Sequence, residues 1–251
     1  MSSINHFFLP LESFAGSDIH FPPDISRQIV RVLRLQAGEQ VIALNNCGDA
    51  YIIKLTDINP NRAAGIIAGR VDLDTEPSFT LSLYLALTQR EKFEWILQKC
   101  TELGAHVITP LVTERSLVTK NHTDQQKTDR RIQIIREAAE QSHRLRLPEL
   151  KPVETFEQSL KTAIASGSVI LLHEGSVEPL GTVLDGLFKQ DAHREINLFI
   201  GPEGGFSEGE IEAARQCSAQ VCSLGSRVLR METAAIAATV ITVEIQSRYQ
   251  K

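Results

Sequence analysis

Three segments concentrate residue types able to hold a ligand or act on one. The first is Gly201-Pro202-Glu203-Gly204-Gly205, which follows an apolar run and precedes Ser207 and Glu210 at capping-box spacing. Glycines at this density let the main chain approach a ligand closely and adopt positive φ. In an α/β sheet, a loop leaving the carboxyl end of a strand is where ligands bind. The loop is neither GxxxxGKS/T nor GxGxxG, and Glu203 would repel a phosphate. It suits a ligand bearing positive charge, hydroxyls or an adenine amino group. The second segment runs from Leu224 to Ala234, a glycine turn leading into a helix with Arg230 and Glu232 at its start. Glu232 favours the helix dipole there and Arg230 opposes it, so Arg230 reads as placed for a task. In the third, Arg136, Glu140 and Arg144 recur at i, i+4 and i+8 and share one helix face. That stripe reads either as a solvated salt-bridge row or, with Arg130, Arg131 and Arg146 around it, as part of a basic surface. His143 has no partner at metal-ligand spacing, and Cys217 and Cys222 read as packing residues.

These segments need elements to hold them. GEQVIAL, AYIIKLTDI and AAGIIAGRV read as three short strands, separated by the turn clusters Asn45 to Asp49 and Asn59 to Asn61. They predict a small antiparallel sheet or barrel. Ahead of them Ser26 to Leu35 predicts a helix, with Ile29, Val32 and Leu33 inward and Arg27, Arg31 and Arg34 outward. The acidic stretch from Asp72 to Ser78 is the best linker. Beyond it, strands (TLSLYLAL, HVITPLV, SVILLHEG, Ile196 to Ile200, AQVCSLG) alternate with helices (Glu91 to Leu103, Gln125 to Arg144, one from Glu208, Met231 to Gln246). That rhythm predicts an α/β fold with a mostly parallel sheet. The expected division is a β domain over 1–72, a linker over 73–79 and an α/β domain over 80–251.

Composition sets the outer limits. With 251 residues, 42% hydrophobic and 23% charged, the chain is core-forming, which excludes disorder as its dominant state. No apolar run is long enough for a membrane helix, Met1 to Pro10 lacks a secretory pattern, and the four cysteines form no CxxC. A reducing cytoplasm is the expected compartment. The net charge of −5 hides two basic islands: Arg27 to Arg70 holds six Lys/Arg against three Asp/Glu, and Arg115 to Lys151 holds nine against five. Phosphate binding is a local property, so an RNA partner is compatible with the acidic whole.

In this order, LTQREKFEWILQKCTELGAHVITPLVTERS, EAAEQSHR, IGPEGGFSEGEI and LGSRVLRMETAAIAA resemble the RsmE-type small-subunit ribosomal RNA methyltransferases of the SPOUT superfamily. IVRVLRLQAGEQV is similar to that family's PUA-like RNA-binding module. The resemblance implies a homodimer in which a small PUA-like β-barrel domain precedes a parallel sheet with a C-terminal trefoil knot. It implies transfer of a methyl group from S-adenosyl-L-methionine to N3 of one uridine in 16S rRNA on an assembled small subunit, without metal. Carried onto this sequence, the cofactor would be held by Leu172, His173 and Glu174, by Gly201, Pro202, Glu203, Gly204 and Gly205, and by Leu224, Gly225, Val228, Leu229, Arg230 and Thr233. RNA would meet Arg27, Arg31 and Arg34 in the first module, and Arg90, Arg115, Arg130, Arg131, Arg136, Arg144 and Arg146 beyond it. N3 must lose its proton, or have its anion stabilised over the flanking carbonyls, and an arginine does the latter. Arg144 and Arg230 are the expected arginines, and Glu140 or Glu232 would accept the proton or orient an arginine. Loss of Arg144 is expected to leave the melting temperature almost unchanged. Two other readings are a non-catalytic ribosome-assembly factor on the same scaffold, against which the intact GPEGG and LRMETA loops count, and a SPOUT enzyme acting on another RNA.

Overall fold

The computed structural model describes residues 4–116 and 125–250. Residues 117–124 of the second basic island therefore lie outside the described residues. The chain forms two compact units, Met1–Glu76 with Ala139–Leu147, and Pro77–Ala138 with Pro148–Lys251. Residues 139–147 thus fall in the first unit, whereas the sequence places them in the second.

The first unit carries β1 (His6–Phe8), β2 (Phe14–Ala15), β3 (Asp18–His20), α1 (Pro23–Arg27), β4 (Gln40–Leu44), β5 (Ala50–Asp57) and β6 (Ala64–Val71). They form a six-stranded sheet in the order β1-β4-β5-β6-β3-β2, antiparallel except between β1 and β4. Asn45 shapes the β4–β5 turn: its Oδ1 accepts the N–H groups of Cys47 and Asp49, and Asn46 and Gly48 take positive φ. The helix expected over 26–35 is instead α1 followed by a π-helical turn, Gln28–Val32. Its wider hydrogen-bonded loop keeps Ile29 in the core and swings Val32 out to 72% exposure, against expectation.

Segment 139–147 completes this unit. Ala139 and Leu145 join Phe8, Ile42, Leu44 and Ala50 in an apolar cluster. Glu140 accepts the Phe8 N–H at 3.0 Å, Arg146 Nη2 donates to the Cys47 carbonyl at 2.7 Å, and the Leu147 N–H donates to Asn46 Oδ1 at 2.7 Å.

The second unit opens with β7 (Leu81–Ala86), α2 (Arg90–Glu102), β8 (Val107–Val112) and α3 (Gln125–Gln141), whose last residues belong to the first unit. It continues with β9 (Glu149–Leu150), β10 (Glu154–Thr155), α4 (Phe156–Ser166), β11 (Ser168–Leu172) and α5 (Leu180–Gln190), then β12 (Ile196–Ile200), α6 (Glu208–Gln216), β13 (Gln220–Cys222) and α7 (Met231–Ser247). The strands are all parallel, in the order β10-β8-β7-β12-β11-β13, with β9 beside β8. Every residue of β7 and β12 is buried, as a sheet covered on both faces requires. One face carries Phe93, Leu184, Phe188, Met231 and Ala238 from α2, α5 and α7; the other carries Phe156, Phe206 and Ile211 around α4 and α6. This is the α/β architecture that the alternation predicts.

Two local expectations are corrected, at the end of α3 and at Cys217. α3 ends at Gln141 and His143 turns the chain with φ 59°, so Arg144 lies off the helix and only Arg136 and Glu140 keep the stripe. α7 is buried along Ala235, Ala238, Thr239 and Thr242 and leaves Val240 43% exposed. Cys222 is buried and its thiol pushed up to about 12 by that burial, whereas Cys217 is exposed.

Candidate functional site

Because β11, β12 and β13 run parallel and in register, their carboxyl ends open at one edge of the sheet. The three loops that leave this edge enclose a cavity of about 400 Å³. Leu172, Ile200, Leu224, Leu229, Met231 and Ala234 give it apolar walls, and His173, Glu174, Glu203, Arg115 and Arg227 supply polar groups. All the cofactor residues expected from the sequence line it except Arg230 and Thr233.

Local chemistry explains the loop shapes. Ser207 caps α6: its Oγ accepts the Glu210 N–H at 3.2 Å, and Glu210 Oε2 accepts the Ser207 N–H at 2.8 Å. Gly205 and Gly225 sit at φ 68° and 107°, and a Cβ built on either would meet nothing within 4 Å among the described residues. Glycine is needed there for backbone conformation rather than for room. At Gly201 the opposite holds, since a Cβ would come within 3.2 Å of the Phe206 ring.

Glu203 is tethered from the β7–α2 connection and from α2, with Oε1 accepting the Thr88 hydroxyl at 2.6 Å and the Lys92 ammonium at 2.9 Å. Burial works to raise the Glu203 carboxyl, but Thr88 and Lys92 outweigh it and hold the group below the usual carboxylate range. The cavity thus presents an ionised acceptor, a second carboxylate at Glu174, and apolar walls. Its volume lies within the usual range for small-molecule pockets. This set fits S-adenosylmethionine: carboxylates for a cationic ligand with hydroxyl and amino donors, apolar side chains for a purine and a thioether-like chain, and no phosphate cradle.

The expected catalytic residues are divided. Glu140 and Arg144 belong to the first unit. Arg144 is 2% exposed, with Nη2 at 2.7 Å and Nε at 3.3 Å from the two oxygens of Glu76. A guanidinium so enclosed has no edge to offer a uracil, so its expected catalytic role is corrected to a structural one. Arg230 is the exposed N-cap residue of α7. Glu232, in the first turn, has Oε2 buried without a hydrogen-bond partner among the described residues.

The basic surface also changes. Arg27, Arg31 and Arg34 are exposed, as expected. Arg131 is instead buried against the Phe93 ring at 4.8 Å, which removes it and Arg144 from any phosphate-binding face. Arg90 and Arg130 converge on Glu94, whose carboxyl is pulled to about 2, Arg130 being the main cause. Arg136 is half-buried, and Arg146 is exposed but committed to Cys47. Arg115, expected on the RNA surface, lines the cavity. Sequence reasoning did not place Arg227, Phe206, Met231 or Ala234 there; the last two were legible as the first turn of a helix entered from a glycine loop.

Residues 75–243 match a family described as RNA methyltransferase domain, and residues 23–68 one described as RNA methyltransferase PUA domain. The chain is 29% identical over 231 residues to the ribosomal RNA small subunit methyltransferase E of Bacillus subtilis (strain 168), covering 90% of this chain and 86% of that one. It is similar to a crystal structure of a ribosomal RNA small subunit methyltransferase E from Neisseria gonorrhoeae bound to S-adenosyl methionine, with TM-score 0.85, 26% identity and coverage of 94% and 95%. A putative methyltransferase from Legionella pneumophila, in complex with the same cofactor, gives TM-score 0.82, 28% identity and 98% coverage of each chain.

Proposed function

The chain belongs to the RNA methyltransferase family, and from that membership we propose that it transfers a methyl group from S-adenosylmethionine to N3 of a uridine in small-subunit ribosomal RNA. The observation that carries this reading is the cavity at the ends of β11, β12 and β13, whose walls fit the methyl donor. Leu172 to Glu174, Gly201 to Gly205 and Leu224 to Leu229 would hold it, and its sulfonium supplies an activated methyl carbon.

The chain's own residues do the rest. Glycine-rich backbone lets the donor lie close to main-chain N–H and C=O groups. The apolar walls would pack against the donor, and Glu203, fixed by Thr88 and Lys92, would face it as an anion. For the N3 proton we propose Glu232, which does not itself line the cavity but follows Met231 in its wall and has one oxygen buried without a hydrogen-bond partner among the described residues. N3 faces its pairing partner in a duplex, so the uridine must be unpaired or flipped. The reading includes a trefoil knot formed by the three loops, and a cytoplasmic homodimer with the half-open face of α7 against a second copy.

Mass mapping of uridine in small-subunit rRNA, after reaction of purified particles with the protein and labelled S-adenosylmethionine, tests the function. One N3-methyluridine is expected, and label absent from uridine, or present on another RNA only, rejects it.

The exposed arginines of the first unit give a separate prediction. Arg31→Glu with Arg34→Glu should weaken RNA binding and lower the log–log salt slope by about 0.7–0.9 for each lost phosphate contact, leaving cofactor affinity intact. Filter binding across a salt series measures it, and an unchanged slope removes these residues from the RNA surface.

A further inference from the structure

The geometry points to Arg115 as the catalytic arginine that stabilises the uracil anion, an inference that rests on the methyl-transfer reading. Arg115 lies just beyond β8 and lines the cavity with Glu203 and the glycine loop. Its Nη1 donates to the Gly204 carbonyl at 3.0 Å, and its stem lies along Gly204. No acidic side chain among the described residues forms an ion pair with it. The carboxylate it might have taken, Glu203, is held by Thr88 and Lys92. Arg144, by contrast, spends its charge on Glu76.

The turn carrying Arg115 is fixed twice. Thr113 and Ser116 close it, with the Thr113 N–H donating to Ser116 Oγ at 3.0 Å and the two hydroxyls 2.8 Å apart. Glu210, which caps α6 through one oxygen, accepts the Glu114 N–H at 2.9 Å through the other. One buried carboxylate therefore locks the cofactor loop and the Arg115 turn into a common frame. Such rigid support is what a group acting on a transition state needs. Arg227 also lines the cavity but has no hydrogen bond or ion pair among the described residues to fix its guanidinium.

The role is chemically specific. As the N3–H bond breaks, the proton passes to a carboxylate, and the pair left on N3 forms the bond to the methyl carbon. The carbon–sulfur bond of the donor breaks with its electron pair going to sulfur. Until the new bond forms, negative charge spreads over N3 and the flanking O2 and O4. The open N–H groups of Arg115 would donate to one of these oxygens. His173, Glu174, Glu203 and Arg227 are the other charged or titratable groups on the same cavity.

Arg115→Met and Arg115→Lys should be compared with wild type in single-turnover methylation of small-subunit particles from about pH 6 to about pH 10. Calorimetry should measure S-adenosylmethionine affinity alongside. Arg115→Met is expected to lose roughly 10²–10³ in rate near neutrality, to recover steeply as pH rises, and to bind cofactor within about threefold of wild type. Particles carrying 5-fluorouridine, whose N3 proton is more acidic, should restore much of the rate to Arg115→Met and little to wild type, with Arg115→Lys intermediate. A loss equal at every pH and on both substrates, or one that follows weakened cofactor binding, overturns the assignment and leaves Arg115 as a support for Gly204. Wild-type turnover in the same series checks the methyl-transfer reading independently.

Discussion

Glu76→Ala is expected to destabilise the first unit by about 3–5 kcal/mol, the usual cost of removing one member of a buried ion pair. Glu76 accepts both forks of Arg144 and the N–H groups of Leu145 and Arg146 at 2.7 and 3.2 Å. Without it, a guanidinium 2% exposed to solvent is left without its carboxylate. Arg144→Met with Glu76→Leu should recover only part of the loss, because an apolar pair avoids the desolvation penalty of the ions but leaves the N–H groups of Leu145 and Arg146 without their acceptor. Arg144→Ala alone should lower stability too, contrary to the sequence-based expectation. Trp95, the only tryptophan, sits in α2 of the second unit and reports the wrong region. Amide exchange on β4 and β5 of the full chain is the direct measurement. Protection unchanged to within about 1 kcal/mol would refute the role of the pair.

The same pair sets an acid limit. Burial works to raise the Glu76 carboxyl, but Arg144 and the two backbone N–H groups outweigh it and hold it below 4.5. The folded state binds the Glu76 proton less readily than the unfolded chain. Its contribution is therefore complete above about 4.5 and is lost as pH falls through the lower folded value. Glu76→Gln should flatten exchange protection of β4 and β5 in that acid window.

Gly205→Val should abolish cofactor binding at practical concentrations, with an affinity loss of about a hundredfold or more. At φ 68° a β-branched residue is a steric outlier, although its Cβ would meet no neighbour. The loop must therefore abandon its shape, and with it the wall of the cavity. The strands and helices around it keep their buried contacts, so far-UV circular dichroism and melting should change little. Gly204→Ala makes a contrast: its Cβ would sit 3.6 Å from Arg115, an ordinary contact, with no positive φ to forbid it. Isothermal calorimetry on the pair decides the matter. Equal losses in both variants would mean that crowding by the ligand, not backbone strain, sets the requirement.

Much of the candidate site was legible because it depends on local signals. Ser207 and Glu210 announce a helix start, and Gly201 to Gly205 mark a strand-end loop, whatever the fold around them. Alternation of apolar strands with helices gave the α/β class. What failed depends on contacts distant in sequence. The spacing of Arg136, Glu140 and Arg144 looks helical, yet His143 breaks the helix and Arg144 turns to meet Glu76, 68 positions upstream. Glu76 itself lay in an acidic linker that composition alone describes as solvated. Arg115 looked like one more cation in a basic island until β8 carried it to Gly204. The two-residue strands β9 and β10 have no periodicity to detect, and neither α4 nor α5 was anticipated.

The interrupted build of the first unit has a consequence for biosynthesis. Its sheet is encoded by residues 1–76, but Ala139 and Leu145, which cover Phe8, Ile42, Leu44 and Ala50, come much later. At roughly 5–20 residues per second, translation takes about 4–14 s to pass from Glu76 to Leu147. Throughout that interval the nascent sheet shows this apolar cluster to the ribosome surface and to any holding chaperone. A fragment cut at Glu76 would keep that face open permanently, so an expression clone meant to isolate this module needs residues 139–147 grafted back through a short artificial loop.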